Sequence, residues 1–343
     1  VVLGIMGRLP FAGVTWQALH YLEGCRRLGY DVWYVEDTGS WNLDLDRETI
    51  TEDCTYTLNF IAHAMEWCGL GDRWAFRAAS QGGSVYGISE SRLGEVLKEA
   101  DALINVTAST VLREEHLRVP IRIYLESDPG VPQIKAQTNQ KAIDFLATHT
   151  HHFTFAENIG GADCLLPAVP FTYHPTRQPI VVDWWADDRP PAVPRKYTTV
   201  SSWQQSNDVE WEGETYIWSK HQQFLKFIEL PERGRGCFEL ALALDDPGTL
   251  ESLGSHGWKV VDAIAVSRDI LCYRDYIRSS GAEFTVAKEQ YTRLRTGWFS
   301  DRSACYLAAG RPVITQETGF TKFLPSGKGL FAFESMDDAV AAT

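Results

Sequence analysis

The fold class is decided by the first 36 residues, VVLGIMGRLPFAGVTWQALHYLEGCRRLGYDVWYVE. Both ends of this stretch, Val1–Met6 and Asp31–Glu36, are apolar enough to form buried strands. Between them a glycine- and proline-containing turn at 7–13 leads into a helical pattern at 14–28. That pattern stops at Gly29, a residue typical of helix C-termini. A strand, a turn, a helix and a second strand in this order predict a parallel α/β sheet.

The same alternation continues along the chain and is interrupted once. Seven prolines fall between 167 and 194, a density that sustains neither a helix nor a central strand and therefore predicts an interdomain connection. We predict two Rossmann-like α/β domains, 1–166 and 196–343, joined by a linker at 167–195. The further strands expected are 102–106, 121–125, 197–201, 238–244, 258–261, 283–286, 312–315 and 329–333. The further helices expected are 47–68, 93–99, 134–146, 216–227, 270–277 and 302–309.

Length, charge and cysteine usage exclude several classes of protein. A chain of 343 residues exceeds what a single core commonly holds, which supports two domains. The formal charge of −13, with no basic patch, counts against a nucleic-acid partner. No apolar run reaches the roughly 18–20 residues of a membrane span, and no secretory signal is visible. Seven cysteines without a Cys-x-x-Cys spacing indicate a reducing, cytoplasmic setting.

Ligands of open parallel sheets bind at the carboxyl ends of strands, beside helix N-termini that favour anions. The run at 296–313, TGWFSDRSACYLAAGRPV, reads as a loop, a helix and a strand of this kind. Ser300 or Asp301 can cap the helix, and small residues in its first turn leave backbone amides open to a diphosphate. We therefore expect donor binding at Gly297, Ser300, Asp301, Arg302 and Ser303. An ordinary capped helix explains the same pattern.

A second loop, Gln316–Phe320, follows the next strand and offers polar groups beside the first. The carboxylate of Glu317 and the amides of Thr318 and Gly319 can hold sugar hydroxyls. Because a carboxylate beside a diphosphate is unfavourable unless sugar hydroxyls lie between them, we expect Glu317 to contact the sugar of the donor. A surface turn is the alternative.

The segment Gly297–Ser300, together with Ala308–Val313, resembles the donor-binding segment of GT-B glycosyltransferases. The similarity is greatest to a bacterial, family-1-like branch, and it extends to Trp218–His221 and Glu283–Lys288. In the first half it includes Pro10–Gly13 and Tyr124–Gly130. Two departures are that Cys305 replaces a glutamate of the plant-type donor box and that the Glu-x7-Glu pair is absent.

The resemblance implies a GT-B fold and transfer of a sugar from a nucleoside-diphosphate donor, of UDP or dTDP type, to an unidentified acceptor. That acceptor is a small molecule or a glycan. No metal ion and no cofactor other than the nucleotide sugar is implied.

The resemblance also implies roles for individual residues. Ser201, Ser202 and Lys288 would contact the donor, and Lys220 would stabilise the leaving diphosphate. Asp128 would face the acceptor as a candidate base. The acceptor side is expected at Gly7, Pro10, Phe11 and Gly13.

Each of these roles has a structural alternative. Lys220 can be a solvated helix residue and Asp128 a turn-former before proline, and the further cations Arg268, Lys288 and Arg295 can be surface charges. His20 lies inside the first helix rather than in the loop before it, where inverting relatives keep a catalytic histidine. The identity of the base therefore stays open.

Two other functions remain compatible with this sequence. A nucleotide-sugar epimerase would use the same donor loops without an acceptor, and a non-catalytic sugar-binding protein would lack a base. A dehydrogenase is disfavoured because Gly4-x-x-Gly7 is not the Gly-x-Gly-x-x-Gly fingerprint and the usual acidic partner is not evident. Asp44-Leu45-Asp46 and the histidines at 149, 151 and 152 are not expected to bind a metal.

Overall fold

The computed structural model describes residues 1–187, 189, 191 and 195–343, and their strands form two large sheets. The strands of the first half are β1 (Val2–Leu3), β2 (Tyr34–Glu36), β3 (Asn42–Asp44), β4 (Thr49–Thr51), β5 (Trp74–Ala78), β6 (Ser84–Tyr86), β7 (Ala102–Val106), β8 (Ile121–Glu126), β9 (His151–Thr154) and β10 (Tyr173–Pro175). Its helices are α1 (Ala12–Arg27), α2 (Thr55–Trp67), α3 (Glu90–Glu99), α4 (Glu114–Leu117), α5 (Val131–Thr138), α6 (Gln140–Ala147) and α7 (Val182–Trp185).

The second half builds its own sheet and helices. Its strands are β11 (Lys196–Ser202), β12 (Val209–Trp211), β13 (Glu214–Tyr216), β14 (Cys237–Ala243), β15 (Lys259–Asp262), β16 (Ala282–Thr285), β17 (Val313–Gln316) and β18 (Leu330–Phe333). Its helices are α8 (His221–Lys226), α9 (Leu230–Arg233), α10 (Pro247–Ser255), α11 (Ala263–Ser267), α12 (Ile270–Ser279), α13 (Glu289–Arg293), α14 (Asp301–Ala308) and α15 (Met336–Ala342).

Both large sheets have the Rossmann strand order. The first runs β10-β9-β8-β7-β1-β2-β5-β6 and is parallel except for the β5–β6 pair. The second runs β15-β14-β11-β16-β17-β18 and is parallel throughout. In each, the order reverses beside the first strand, between β1 and β7 and between β11 and β16, which is where such sheets bind ligands. The predicted α/β fold class with two Rossmann-like sheets is confirmed.

Three predicted helices are wrong in part, because local turns interrupt them. The first half of 47–68 is the β3–β4 hairpin, since the Asp44 carboxylate accepts from the amides of Asp46 and Arg47 and Glu48 takes a left-handed φ of 51°. The start of 216–227 is the end of the β12–β13 hairpin. Its turn places Glu212 and Gly213 at φ 53° and 80°, the conformation of tight hairpin turns.

The third helix, 134–146, is divided between α5 and α6. Asn139 takes an extended conformation between them, and its side chain accepts from the amide of Lys141 to cap the second helix. Four strands of the first sheet, β5, β6, β9 and β10, were not predicted by the sequence.

The predicted linker contains regular structure. Tyr173–Pro175 is an edge strand parallel to β9, a position that tolerates proline, and α7 follows it at Val182–Trp185. Residues 188, 190 and 192–194 of the linker, with Pro190 and Pro194 among them, lie outside the described part of the chain.

Aromatic side chains fix α7 to the first domain. The ring of His20 lies 3.1 Å from the backbone nitrogen of Val181 and 3.0 Å from the indole nitrogen of Trp185, and it accepts from one of them in either neutral tautomer. Burial lowers the pKa of His20 to about 3, so the ring stays neutral. Trp16 packs against Trp185 and donates to the carbonyl of Ile270 in the second domain at 3.0 Å. His20 therefore packs at the domain boundary.

On another side of the boundary, a loop of the first domain contacts Gly297. The Asn158 amide donates to the carbonyl of Thr296 at 3.0 Å, and its side chain donates to the carbonyl of Arg295 at 2.7 Å. A Cβ on Gly297 would lie 2.5 Å from the Asn158 nitrogen. Glycine at 297 thus lets the two domains meet.

None of the described helices combines the length and the apolar composition of a membrane span.

Substituting Gly297 tests this contact. Gly297 and Gly310 both have left-handed φ, 78° and 69°, but a Cβ on Gly310 meets no atom within 4 Å. We expect Gly310→Ala to lower the free energy of unfolding by roughly 1–2 kcal/mol through its backbone conformation alone. Gly297→Ala should cost roughly 2–4 kcal/mol because Asn158 must also move. Urea unfolding measures both, and equal losses would contradict the interdomain contact.

Candidate functional site

The carboxyl edges of the two sheets meet at one ion pair. Asp128 follows β8 and Lys288 follows β16, and the Lys288 ammonium lies 2.7 Å from the Asp128 carboxylate. The hydroxyl of Tyr291 also donates to Asp128. Beside this pair the indole of Trp298 donates to the carbonyl of Ser127 at 2.8 Å. The predicted residues Asp128 and Lys288, 160 positions apart, therefore lie in direct contact.

Aromatic rings surround the Lys288 ammonium. It lies 3.4 Å from the centroid of the Trp218 ring, and Tyr291 stacks on Trp298 with centroids 4.5 Å apart. Lys288 is 8% exposed. Burial lowers its pKa, an effect that the Asp128 charge opposes. A cation held in this way is available to an anion that enters the cleft.

Two carboxylates on opposite sides of the cleft have pKa shifts of opposite sign. Burial works to raise the pKa of Asp128, but the Lys288 charge and hydrogen bonds from Lys288 and Tyr291 outweigh it and lower that pKa. Burial and the Asp128 charge raise the pKa of Asp301 to about 7. Asp301 begins α14 and accepts from Gln17 of α1 at 3.2 Å. Near neutral pH one carboxylate is ionised and the other is partly protonated, which is an arrangement suited to acid–base chemistry.

Lys220 supplies a buried cation without a counter-ion in contact. It lies just before α8, is 8% exposed, and has its ammonium 5.8 Å from the centroid of the Trp298 ring. Within the described part of the chain, that ammonium makes no hydrogen bond or ion pair. Burial and the charges of Arg302 and Lys288 lower its pKa well below the ordinary value, and the charges of Glu283 and Asp128 oppose this only in part. The alternative of a solvated helix residue is excluded by this burial.

Arg302, by contrast, is already engaged inside the second domain. Its guanidinium donates to Glu283 at 2.5 Å, to the Val200 carbonyl at 2.6 Å and to the Thr285 hydroxyl at 2.8 Å. It therefore joins the carboxyl ends of β11 and β16 at the point where the strand order reverses. Arg302 positions the strands that end in the site.

The predicted serines lie around Arg302. Ser201 and Ser202 end β11 and are half-buried, and the Ser201 hydroxyl donates to the Ser202 carbonyl at 3.0 Å. Ser300 precedes α14, but its side chain makes no capping hydrogen bond. The Ser303 hydroxyl, in the first turn of α14, is fully buried and has no partner among the described residues.

The two predicted glycine loops contact each other. The Gly297 amide donates to the Thr318 carbonyl at 2.7 Å, and the Thr318 hydroxyl donates to the Trp298 carbonyl at 2.6 Å. A Cβ on Gly319 would lie 3.3 Å from the Asn158 side chain. Asn158 of the first domain therefore fills the space over both glycines.

Glu317 is occupied within its own loop. Its carboxylate accepts from the Gly319 amide, so that amide offsets the charge of Glu317. The pKa of Arg295 is raised mainly by its pairing with Asp163 at 2.9 Å and in small part by the Glu317 charge. No described contact joins Glu317 to Lys220 or Lys288.

The predicted acceptor loop is held by a carboxylate from β2. Glu36 accepts from the amides of Gly7 and Arg8 at 2.7 and 2.6 Å and from the Tyr34 hydroxyl at 2.6 Å. Burial raises its pKa to about 7. Glu36 is the acidic residue at the end of β2 that the sequence did not reveal. Because the amides of Gly7 and Arg8 already donate to Glu36, they are not free to bind an anion.

The rest of the acceptor loop is packed. A Cβ on Gly7 would lie 2.6 Å from Ile61, and one on Gly13 would lie 3.5 Å from the Tyr273 hydroxyl. Pro10 is buried and Phe11 is half-buried at the start of α1. This loop therefore supports the site by packing.

One described cluster has the residue types of a metal site. Asp37, Glu115 and His116 bring their ligand atoms within 4.8 Å of one another. Arg77 lies 3.1 Å from Asp37 and 2.7 Å from Glu115, and Arg113 lies 2.7 Å from Asp37. Two guanidinium groups thus neutralise the carboxylates, and this donor set does not fit a divalent cation.

Several residues of the site were not assigned by the sequence. Tyr291, Glu283 and Asn158 make hydrogen bonds across separations of 84 to 163 positions, which a local pattern does not encode. The sequence indicated Trp218 only weakly. It lies two positions before Lys220, in the segment Trp218–His221 that shares the family resemblance.

Comparisons with known proteins contribute little beyond this geometry. No protein-family model matches the chain, and no curated protein matches it. Among solved structures, it is similar to AviGT4, a glycosyltransferase involved in avilamycin A biosynthesis. The identity is 11%, the TM-score is 0.49, and the match covers 98% of this chain and 86% of that chain. A likeness this distant carries no argument about activity, so the functional conclusion rests on the residues above.

Removal of the Lys220 charge should stabilise the protein in the absence of ligands. An unpaired buried ammonium is unfavourable, so we expect Lys220→Met to raise the free energy of unfolding by about 1–3 kcal/mol at neutral pH. Lys226→Met, at an exposed position of the same helix, should change it by less than about 0.5 kcal/mol. Urea unfolding measures both.

The same difference should depend on pH. Because folding lowers the pKa of Lys220 from its ordinary 10.5, the folded state binds that proton more weakly than the unfolded chain. The cost is therefore largest at low pH and shrinks as the pH rises towards 10.5. A Lys220→Met protein that is less stable than the parent would contradict the unpaired charge.

Proposed function

We propose that this chain is a glycosyltransferase that uses a nucleoside-diphosphate sugar and no metal ion. The observation that carries the proposal is Lys220, a side chain only 8% exposed whose ammonium makes no hydrogen bond or ion pair among the described residues, at the carboxyl edge of the second sheet. A buried cation of this kind is stabilised by an anionic ligand, and it lies beside a second cation, Lys288. A diphosphate supplies the charge that two lysines would neutralise.

The second domain is proposed to hold the donor. Lys220 and Lys288 contact the diphosphate, and the N-terminus of α14, with the free hydroxyl of Ser303 in its first turn, lies close by. Gly297 and Thr318 hold the loop that precedes this helix. Glu317 keeps its proposed role towards the donor sugar, with the Gly319 amide sharing its charge.

Asp128 is proposed as the base for the acceptor. In the closed pair its pKa is lowered mainly by Lys288. When a diphosphate takes up the Lys288 charge, Asp128 loses that stabilisation and becomes more basic. It then accepts the proton of the acceptor hydroxyl as the hydroxyl oxygen bonds to the anomeric carbon. The bond from that carbon to the diphosphate oxygen breaks, and Lys220 stabilises the charge of the departing diphosphate.

Turnover of Lys220→Ala tests the leaving-group role. Charge on the diphosphate grows in the transition state. We therefore expect the activation free energy to rise by roughly 2–4 kcal/mol, so that kcat falls, with a smaller change in the donor KM. The measurement is release of nucleoside diphosphate from UDP-, dTDP- and GDP-sugars, with Lys226→Ala as the control. Unchanged turnover in Lys220→Ala would overturn the assignment.

The opposed pKa shifts of Asp128 and Asp301 favour a second candidate, a nucleotide-sugar epimerase. One ionised and one protonated carboxylate could remove a proton from a bound sugar and return another without an acceptor. Incubation of each sugar nucleotide in deuterated water distinguishes the two functions. Deuterium in the sugar ring of an intact sugar nucleotide supports the epimerase, whereas diphosphate release without exchange supports the transferase.

A further inference from the structure

A cavity with a mainly apolar lining lies at the domain boundary. It has a volume of about 280 Å3 and is formed by α2 of the first domain and the residues that lead into α12 of the second. This volume is at the lower end of the roughly 300–1,000 Å3 typical of small-molecule sites, so it suits a ligand of one ring. Neither Lys220 nor Lys288 lines it.

One wall of the cavity is aromatic. Tyr56 and Phe60 lie one turn apart on α2, with their rings stacked at a centroid distance of 6.3 Å and an interplanar angle of 17°. Both line the cavity. These two neighbouring aromatic side chains give the cavity an apolar wall against which the apolar face of a sugar ring can pack.

The lining also includes two charge pairs that each join the domains. Arg268 lies 3.8 Å from Asp46, and His63 lies 3.8 Å from Asp269. Both separations exceed hydrogen-bond length, so the two members of each pair do not hydrogen-bond to each other. Asp269 uses one oxygen to cap α12, at 2.8 Å from the amides of Leu271 and Cys272, and its other oxygen faces His63. A ligand hydroxyl can bond to both members of a pair.

Helix α2, which lines the cavity, also contacts the loop that was expected to face the acceptor. Thr57, next to Tyr56, donates from its hydroxyl to the Gly7 carbonyl at 3.1 Å. Since Glu36 takes up the amides of that loop, specific acceptor contacts must come from neighbouring side chains. The cavity supplies an apolar wall together with positively and negatively charged groups that can form hydrogen bonds.

We propose that this cavity binds a single saccharide ring. The apolar face of the ring packs on Tyr56 and Phe60, and its hydroxyls bond between Arg268 and Asp46 and between His63 and Asp269. This saccharide binding does not depend on the proposed transferase function. It assigns Arg268, which the sequence made a candidate for the donor diphosphate, to the saccharide instead.

Saturation-transfer NMR on the full chain tests the proposal, with methyl glycosides of glucose, galactose, mannose and N-acetylglucosamine as probes. We expect at least one to bind at millimolar concentration, with the strongest transfer to the ring protons of one face. Arg268→Ala and His63→Ala should each weaken that binding roughly tenfold. The control is Arg233→Ala, because Arg233 has nearly the same exposure as Arg268, 44% against 46%, and likewise pairs with one aspartate.

Titration with UDP, dTDP and GDP on the same proteins separates this proposal from the proposed function. Arg268→Ala should keep its affinity for the nucleotide, and Lys220→Met should lose nucleotide but keep the glycoside. Absence of binding for all four glycosides, or equal binding to Arg268→Ala and the control, overturns the cavity assignment even where nucleotide binds. Glycoside binding without any nucleotide binding overturns the transferase and leaves the saccharide site. Thermal unfolding of each variant confirms that it is folded.

Discussion

The ion pair between Asp128 and Lys288 is the constraint on which the rest of the site depends. It joins a loop after β8 to a loop after β16 at 2.7 Å, so that the carboxyl edges of both Rossmann-like sheets face each other. Two buried lysines then share a volume with one ionised carboxylate, and Arg302 is neutralised separately by Glu283. The result is an excess of positive charge at a boundary between domains in a chain whose formal charge is −13. Such a local excess favours an anionic ligand.

The same pair explains how binding and chemistry can be coupled. While Lys288 contacts Asp128, the carboxylate is a weak base, because the ammonium stabilises its charged form. An anion that competes for Lys288 makes Asp128 a stronger base at the moment when a donor is present. Trp218, from the hairpin side of the second domain, covers the ammonium at 3.4 Å and limits water around it.

Local sequence patterns predicted the sheets and the α14 segment, because a strand, its following glycine loop and its helix lie within about twenty residues. They failed where a single turn decides the structure. The carboxylate of Asp44 and the left-handed Glu48 convert the start of a helical pattern into a hairpin. They also failed for contacts between domains. Gly297 reads as a phosphate-binding glycine, yet the space beside it is filled by Asn158.

The site was predictable to the same extent. Asp128, Lys220 and Lys288 were found because each follows a strand or lies in a segment that resembles a known family. Their mutual contact could not be inferred, since it depends on how two sheets pack. Glu36 was missed although it ends a predicted strand. Its role depends on the hydrogen bonds that it accepts from two backbone amides, those of Gly7 and Arg8, about 28 residues earlier in the chain.

A crystal structure with a bound nucleoside diphosphate tests the central claim most directly. The account predicts that the diphosphate lies in the second domain, within hydrogen-bond distance of the Lys220 ammonium and beside the first turn of α14. A diphosphate bound against Gly7–Gly13 of the first domain, with Lys220 still unpaired, would contradict it.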